Sequence, residues 1–332
     1  MDFYGVIIGL AGVLAASGPV VFASIGETIS ERAGVINLSV NGTILLSAMG
    51  GFAVAVTTGS VLLGFVAGAI IGGLVALLVA FSSITLRQSQ VAVGFVLALV
   101  CRDLSYFLGN PFMGAAGPRL SNVPIPGLSS IPVIGPLFFR HDLMTYASFL
   151  LIGAAWFFIF RTRPGLALRS VGERPAAAHA RGISVNRLRY LYTVLGGMLV
   201  GLAGPMFSLS VKAGWKGTIS GLDGIGWIAL AITIFGAWNP IQAALGAYLF
   251  GLLQWLGLVL QSQLPGIPSQ VLQVAPFPLM ILTLLLVNIG NAEWVERVLA
   301  LLPERLRHAV ARVLRALRVN PPGSLGVPFE RD

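Results

Sequence analysis

Charge is what this sequence has least of. Its 332 residues include 21 Lys and Arg and 12 Asp and Glu, 10% in all, while 56% are apolar and the mean hydropathy is +0.88. A soluble domain carries about 25% charged residues, so this supply cannot cover a 34.9 kDa globule, and a water-soluble enzyme is excluded. Cysteine is nearly absent too. Cys101 stands alone in an apolar run, which rules out an intramolecular disulfide or a thiolate metal site and leaves it a small packing residue. The three histidines (141, 179, 308) show no metal-ligand spacing, no nucleophile–base pair stands out, and no Walker A run exists to bind ATP phosphates. No catalytic residue, metal or cofactor is therefore expected. The apolar segments also hold no unpaired acidic residue, which argues against a proton- or sodium-coupled carrier.

What is abundant is long apolar sequence. Segments at about 5–26, 37–57, 61–81, 90–108, 143–160, 190–211, 224–237, 240–262 and 270–289 reach or approach the roughly 20 residues that cross a bilayer as a helix, 224–237 falling short. The expected fold is an all-α polytopic transmembrane bundle of about eight to ten spans with at least one broken helix. Ser30-Glu31-Arg32-Ala33-Gly34 interrupts 5–57, and hydropathy leaves open whether that region is two plain spans or includes a break. The N-terminus lacks the basic flank of a signal peptide and reads as a retained first span.

The basic residues set the orientation. Seven arginines lie between 161 and 189 and seven more after 290; placing both groups inside, with Arg32 and Arg87, leaves only Arg119, Arg140, Lys212 and Lys216 outside and Arg102 in a span. Positive loops stay cytoplasmic, so the C-terminus is expected inside and the N-terminus outside. No aromatic-interleaved basic surface suggests nucleic acid. The Pro- and Gly-rich stretch 109–142 reads as external coil. Gly64-x3-Gly68-x3-Gly72, Gly197-x3-Gly201 and the series Ala243, Ala247, Gly251 present small faces on which helices pack closely.

Two stretches carry the functional signal. In 27–43, Asn37 and Asn41 are four apart and would share one helix face, Ser39 and Thr43 another, with Gly34 and Gly42 permitting an unwound backbone. Polar side chains at that depth face a cavity or a partner helix. A broken helix lining a solute path (Asn37, Ser39, Asn41, Gly42, Thr43) and plain interhelical hydrogen bonding both fit. In 161–189, Pro175 suits a first helical turn, the alanines after it favour helix, and Gly182 suits a left-handed cap. That predicts a short, rigid cytoplasmic helix of about two turns, a surface a motor subunit could push or an inert positive loop. Arg102-Asp103 neutralise each other or find partners across helices, and Trp227, Trp238 and Asn239 read as interfacial anchors. Glu293–Arg318 places apolar residues at three-to-four spacing between arginines, a basic amphipathic helix suited to anionic lipid.

The runs SERAGVINLSVNG, LRSVGERPAAAHARGISVNRLRY, GWIALAITIFGAWNPIQAALGAYLFG and LPGIPSQVLQVAPF, in this order between about residues 20 and 290, resemble the permease subunits of bacterial ABC importers. The branch is that for simple sugars, nucleosides and branched-chain amino acids, and the nucleoside group is the most similar. The resemblance implies a plasma-membrane permease domain, expected over 1–290, with a cytoplasmic coupling loop at 161–189; it does not cover the tail at 291–332, which its own residue pattern makes a cytoplasmic basic amphipathic segment. It also implies a cytoplasmic ATPase, a second related permease or a homodimer, an external solute-binding lipoprotein, and alternating access without covalent chemistry. By it the coupling helix is Gly172, Glu173, Arg174, Pro175, Ala176, Ala177, Arg181 and Gly182, with Glu173, Arg174 and Ala177 at matching positions. Asn37 and Gly42 match the family's path element, where Asn41 replaces a usual Glu and Ser39 a usual Gly. An ion-coupled secondary carrier is the alternative.

Overall fold

The computed structural model of the protein describes residues 3–212, 214–263, 278, 282 and 321–329. In chain order its helices are α1 (Phe3–Arg32), α2 (Val40–Thr58), α3 (Val61–Ala80), α4 (Gln90–Gly109), α5 (Ile134–Phe138), α6 (Leu143–Arg161), α7 (Arg163–Glu173), α8 (Pro175–Ala180), α9 (Val185–Met206), α10 (Ile225–Phe235) and α11 (Pro240–Gln263). Single π-helical turns extend α3 to Thr85 and α9 to Val211. Among the described residues seven helices are long and apolar enough to cross a membrane, and α10, at 11 residues, is the shorter apolar eighth. These eight correspond in order to eight of the apolar segments. The ninth, 270–289, and the amphipathic stretch Glu293–Arg318 lie outside the described residues, apart from 278 and 282.

Polar residues set where the helices begin. Ser60 accepts from the Leu63 amide at the start of α3, Ser89 from Ala92 at α4, and Asp142 from Thr145 at α6. Each supplies the acceptor that a first helical turn lacks. Between their ends the long helices are largely apolar on every face, because a lipid-facing surface must be as apolar as a packed one. Hydrophobicity therefore cannot select the packing faces, and residue size does.

The glycine series meet one another. A Cβ on Gly72 would run into the Gly197 carbonyl, one on Gly201 into the Gly68 carbonyl, and one on Gly68 into the Pro205 ring, so α3 and α9 cross backbone against backbone. Ala243 and Ala247 are fully buried, and Gly251 lies against Ser17 of α1. α1 is the central pillar: every residue from Ser17 to Glu31 is buried, among α6, α9, α10 and α11.

One end of the bundle gathers Arg32, the contact of Thr85 with Tyr190, α7 and α8. The other carries 110–142, which folds back as two 3-10 turns and α5 and is pinned by the Leu120 amide to the Leu209 carbonyl and the Gly114 amide to the Trp215 carbonyl.

Gly72→Val should lower the thermal midpoint of the detergent-purified protein, with a loss of about 1–3 kcal/mol or more from overpacking. Gly153→Ala, where an added Cβ meets nothing within 4 Å, should not lower the midpoint.

Candidate functional site

The polar stretch 27–43 forms a turn that climbs back into the bundle. α1 stops at a Schellman motif: Gly34 sits at φ +89°, its amide donates to the Glu31 carbonyl (2.9 Å), and the Val35 amide donates to Ser30 (3.2 Å). The chain then rises beside the helix it has left. The Ile36 amide donates to Gln90 Oε1 (2.8 Å) and the Asn37 amide to Glu27 Oε1 (3.0 Å). Glu27 precedes Arg32 by five residues, about 7–8 Å of helix rise, so α2 starts well inside the bundle.

This geometry corrects the expected pairing of Asn37 with Asn41. Asn37 is not helical; its Oδ1 accepts from the Ser39 amide (3.1 Å) and Ser39 Oγ (2.5 Å), and Ser39 Oγ lies 3.2 Å from Thr43 Oγ1. Asn41, in the first turn of α2, reaches the other way. Its Nδ2 donates to Asp223 Oδ1 (2.8 Å), and its Oδ1 accepts from the Gly224 (2.9 Å) and Gly226 (3.2 Å) amides at the start of α10. Gly42 packs so closely on Ala98 of α4 that no side chain would fit. All five residues are buried and, apart from Gly42, hydrogen-bonded through their side chains.

Three features depart from the sequence reading. Glu27 and Glu31 were expected outside the apolar segment, yet α1 runs intact to Arg32 and both are buried within it, so the first span does hold acidic residues. Glu31 accepts from the Trp238 indole, while Glu27 Oε2 has no partner. Trp238, read as an interfacial anchor, is buried, and its carbonyl and that of Ala237 accept from the Arg32 guanidinium (3.1 and 3.2 Å). Asp223 carried no signal in the sequence; the turn before α10 brings it to Asn41. That turn is closed by Lys212, whose Nζ donates to the Ser220 and Gly221 carbonyls (2.7 and 3.1 Å). Burial and the nearby Lys216 hold its ammonium below the usual lysine range.

At the Arg32 end, the capped helix read from the loop is present as α8. Thr162 Oγ1 caps α7 by accepting from Gly165 (3.1 Å), and α7 buries Leu168 and Val171. Its Gly172 lies directly against the Arg32 carbonyl. Glu173 and Arg174 are exposed, Pro175 opens α8, Ala176 and Ala177 face outward, and Ala178 is buried. Gly182 at φ +82° closes it, donating to the His179 carbonyl (2.8 Å), next to exposed Arg181.

A strap from 321–329 crosses this surface, and nothing in the spacing of the sequence marks it. The Ser324 amide and Oγ both donate to the Gly172 carbonyl (2.8 and 2.7 Å), and the Gly326 amide donates to Gly34 (3.1 Å). The Gly323 amide donates to Glu173 Oε2 (3.1 Å), and Arg189 donates to the Val327 carbonyl (2.8 Å) and Ser324 Oγ (3.1 Å). Phe329 sits against His179 (ring centroids 5.6 Å) and the buried Val171, Ala178 and Val185. Among the described residues no group of His, Cys, Asp and Glu could hold a metal ion.

A family model described as branched-chain amino acid transport system / permease component matches residues 9–288. TsgC13 of Haloferax volcanii, provisionally named a glucose ABC transporter permease protein, is 39% identical over 76% of this chain and 78% of its own. The nucleoside ABC transporter permease protein NupC of Lactococcus lactis is 36% identical over 83% of this chain and 91% of its own. The guanosine ABC transporter permease protein NupQ of Bacillus subtilis is 33% identical over 82% and 89%. No solved structure matches the chain.

Ending the chain at residue 320 should expose the α8 loop. Limited trypsin digestion should then cut after Arg181 severalfold faster than in the full chain, with the helical signal retained.

Proposed function

The chain belongs to the permease-component family of the branched-chain amino acid transport systems, and from that premise we propose that it is the membrane subunit of an ATP-driven importer of nucleosides or related simple sugars. As a permease component with seven apolar spans among its described residues it is a multi-pass plasma-membrane protein and a transport subunit rather than an enzyme. The proposal adds a partner ATPase docked on α8, a second permease copy or homologue, and an external solute-binding lipoprotein. The names of NupC, NupQ and TsgC13 support the solute class.

One observation carries the mechanism: the exposed α8 is continuous with the buried polar turn. Glu173 and Arg174 follow Gly172, which rests on the last carbonyl of α1; beyond Gly34 the chain leads through Asn37 and Ser39 to Asn41, which holds the start of α10. Closure of the ATPases on ATP would shift α7 and α8 as a body, move the turn with them, and exchange outward for inward access, as in alternating-access cycles. Asn37, Ser39, Asn41, Gly42 and Thr43 would bias the path, and Gly172, Glu173, Arg174, Pro175, Ala176, Ala177, Arg181 and Gly182 would receive the stroke. The C-terminus would then lie inside and the N-terminus outside.

The buried Glu27 and Glu31 favour a second reading, an ion-coupled carrier. Uptake in cells held at constant ATP separates the two: an uncoupler should leave uptake intact if ATP drives it and abolish it if an ion gradient does.

In proteoliposomes containing the permease, its ATPase and its binding protein, Ala177→Asp should preserve folding and basal ATP hydrolysis while solute uptake falls to background. Transport at the wild-type rate would remove the coupling role of α8. Asn41→Leu, which strips an acceptor from two α10 amides and a donor from Asp223 at a cost of about 1–3 kcal/mol, should cut uptake while the ATPase still co-purifies.

A further inference from the structure

Three charged side chains stand open in the outer half of the bundle. Arg102, Asp103 and Asp223 are 38%, 67% and 42% exposed, although Arg102 lies seven residues, about 10 Å, below the outer end of α4. Hydrocarbon does not accept such charges, so the face bearing them borders water. Phe95, Leu99, Arg102 and Tyr106 follow at four-, three- and four-residue steps along that face of α4. Trp227, from the first turn of α10, sets its exposed ring 6.1 Å from that of Phe95. Asp223 joins the two helices: its Oδ1 accepts from Asn41 (2.8 Å), while Oδ2 is held loosely, 3.4 Å from the Tyr106 hydroxyl and 3.9 Å from the Arg102 guanidinium.

We propose that this face is a transit site for a neutral solute carrying a hydroxyl-bearing ring, with Asp223 its acceptor, Arg102 and Tyr106 its donors, and Trp227 and Phe95 its platform. A carboxylate only accepts, and the long contacts at Oδ2 leave it free to re-pair with a solute hydroxyl. Two carboxylates against one guanidinium leave the patch slightly negative, which disfavours anionic solutes. An exposed aromatic pair beside few polar groups is how ring-bearing ligands are held. The inference rests on the import reading and adds residues to it: Asn41 links this patch to the polar turn, so movement of the turn would alter Asp223.

The test uses the complete importer. In a Cys101→Ala background, Leu99→Cys introduces a thiol at an exposed position of the stripe. A membrane-impermeant charged thiol reagent added outside should label it, and saturating guanosine or glucose should slow labelling severalfold. Asp223→Asn added to that variant should remove the protection. An inert Leu99→Cys means that lipid or a second permease covers the face, and it overturns the proposal, as does labelling that neither solute slows. In uptake assays, Asp223→Asn should lower the rate about tenfold or more, the scale of a hydrogen bond to a charged group. Trp227→Ala should also lower it, and Trp227→Phe should restore most of it. Wild-type uptake by Asp223→Asn overturns the site alone. Absence of ATP-driven uptake by the wild type overturns the import reading, and the labelling is read independently of it. Should Asp223→Asn fail to assemble with the ATPase, solute protection of Leu99→Cys decides.

Discussion

Where α7 ends, the Gly172 backbone lies against the carbonyl of Arg32 with no room for a side chain between them. Much of the arrangement at this end depends on that approach. It sets a helix outside the apolar bundle against the end of the longest helix within it, just past the stretch from Ser17 to Glu31 that is buried throughout. Because the Arg32 guanidinium also holds the Ala237 and Trp238 carbonyls, the ends of α1, α7 and α10 form one knot. Any larger residue at 172 would separate the surface helices from the pillar.

The knot matters because of what α1 carries. Its stretch from Ser17 to Glu31 has no exposed side along which to slide, and three polar groups there are engaged by other elements: Ser24 with α10, Glu27 with the returning chain, Glu31 with Trp238. Interiors of this density rearrange between discrete packings rather than deform continuously. The irregular backbone at 33–39 survives in the bundle because neighbouring side chains satisfy it, Gln90 and Glu27 taking the Ile36 and Asn37 amides.

Much of this was legible in the sequence because the signals were local. Apolar runs located eight helices, most of them within a few residues, although α1 continues past the expected 26 to Arg32. The Gly64, Gly68, Gly72 and Gly197, Gly201 series were read as packing faces, though only the structure shows that they face each other. Pro175 and Gly182 bracketed α8 because capping depends on the nearest neighbours. The rest depends on long-range pairing. Four-residue spacing put Asn37 and Asn41 on one face, but the αL residue Gly34 ended the helix, and the irregular stretch after it leaves the two asparagines with different partners. Glu27 was placed outside a span because charge interrupts hydropathy, whereas a buried amide and an indole accommodate the two acids inside the helix. Trp238 and Asp223 find partners about 180 to 210 residues away, beyond the reach of any periodicity.

The strap has a bearing on how the protein is made. Ser324 follows Gly172 by 152 residues, and at about 5–20 residues per second a ribosome needs roughly 8–30 s to cover that distance. Throughout that interval α7 and α8 exist on the nascent chain without the residues that tie them to Gly34 and Arg189. The α7–α8 surface is thus completed only late in translation. A chain that stops shortly before Pro322 never gains that closure, so the contacts of Ser324 with Gly172 mark a permease whose α7–α8 surface has been tied down.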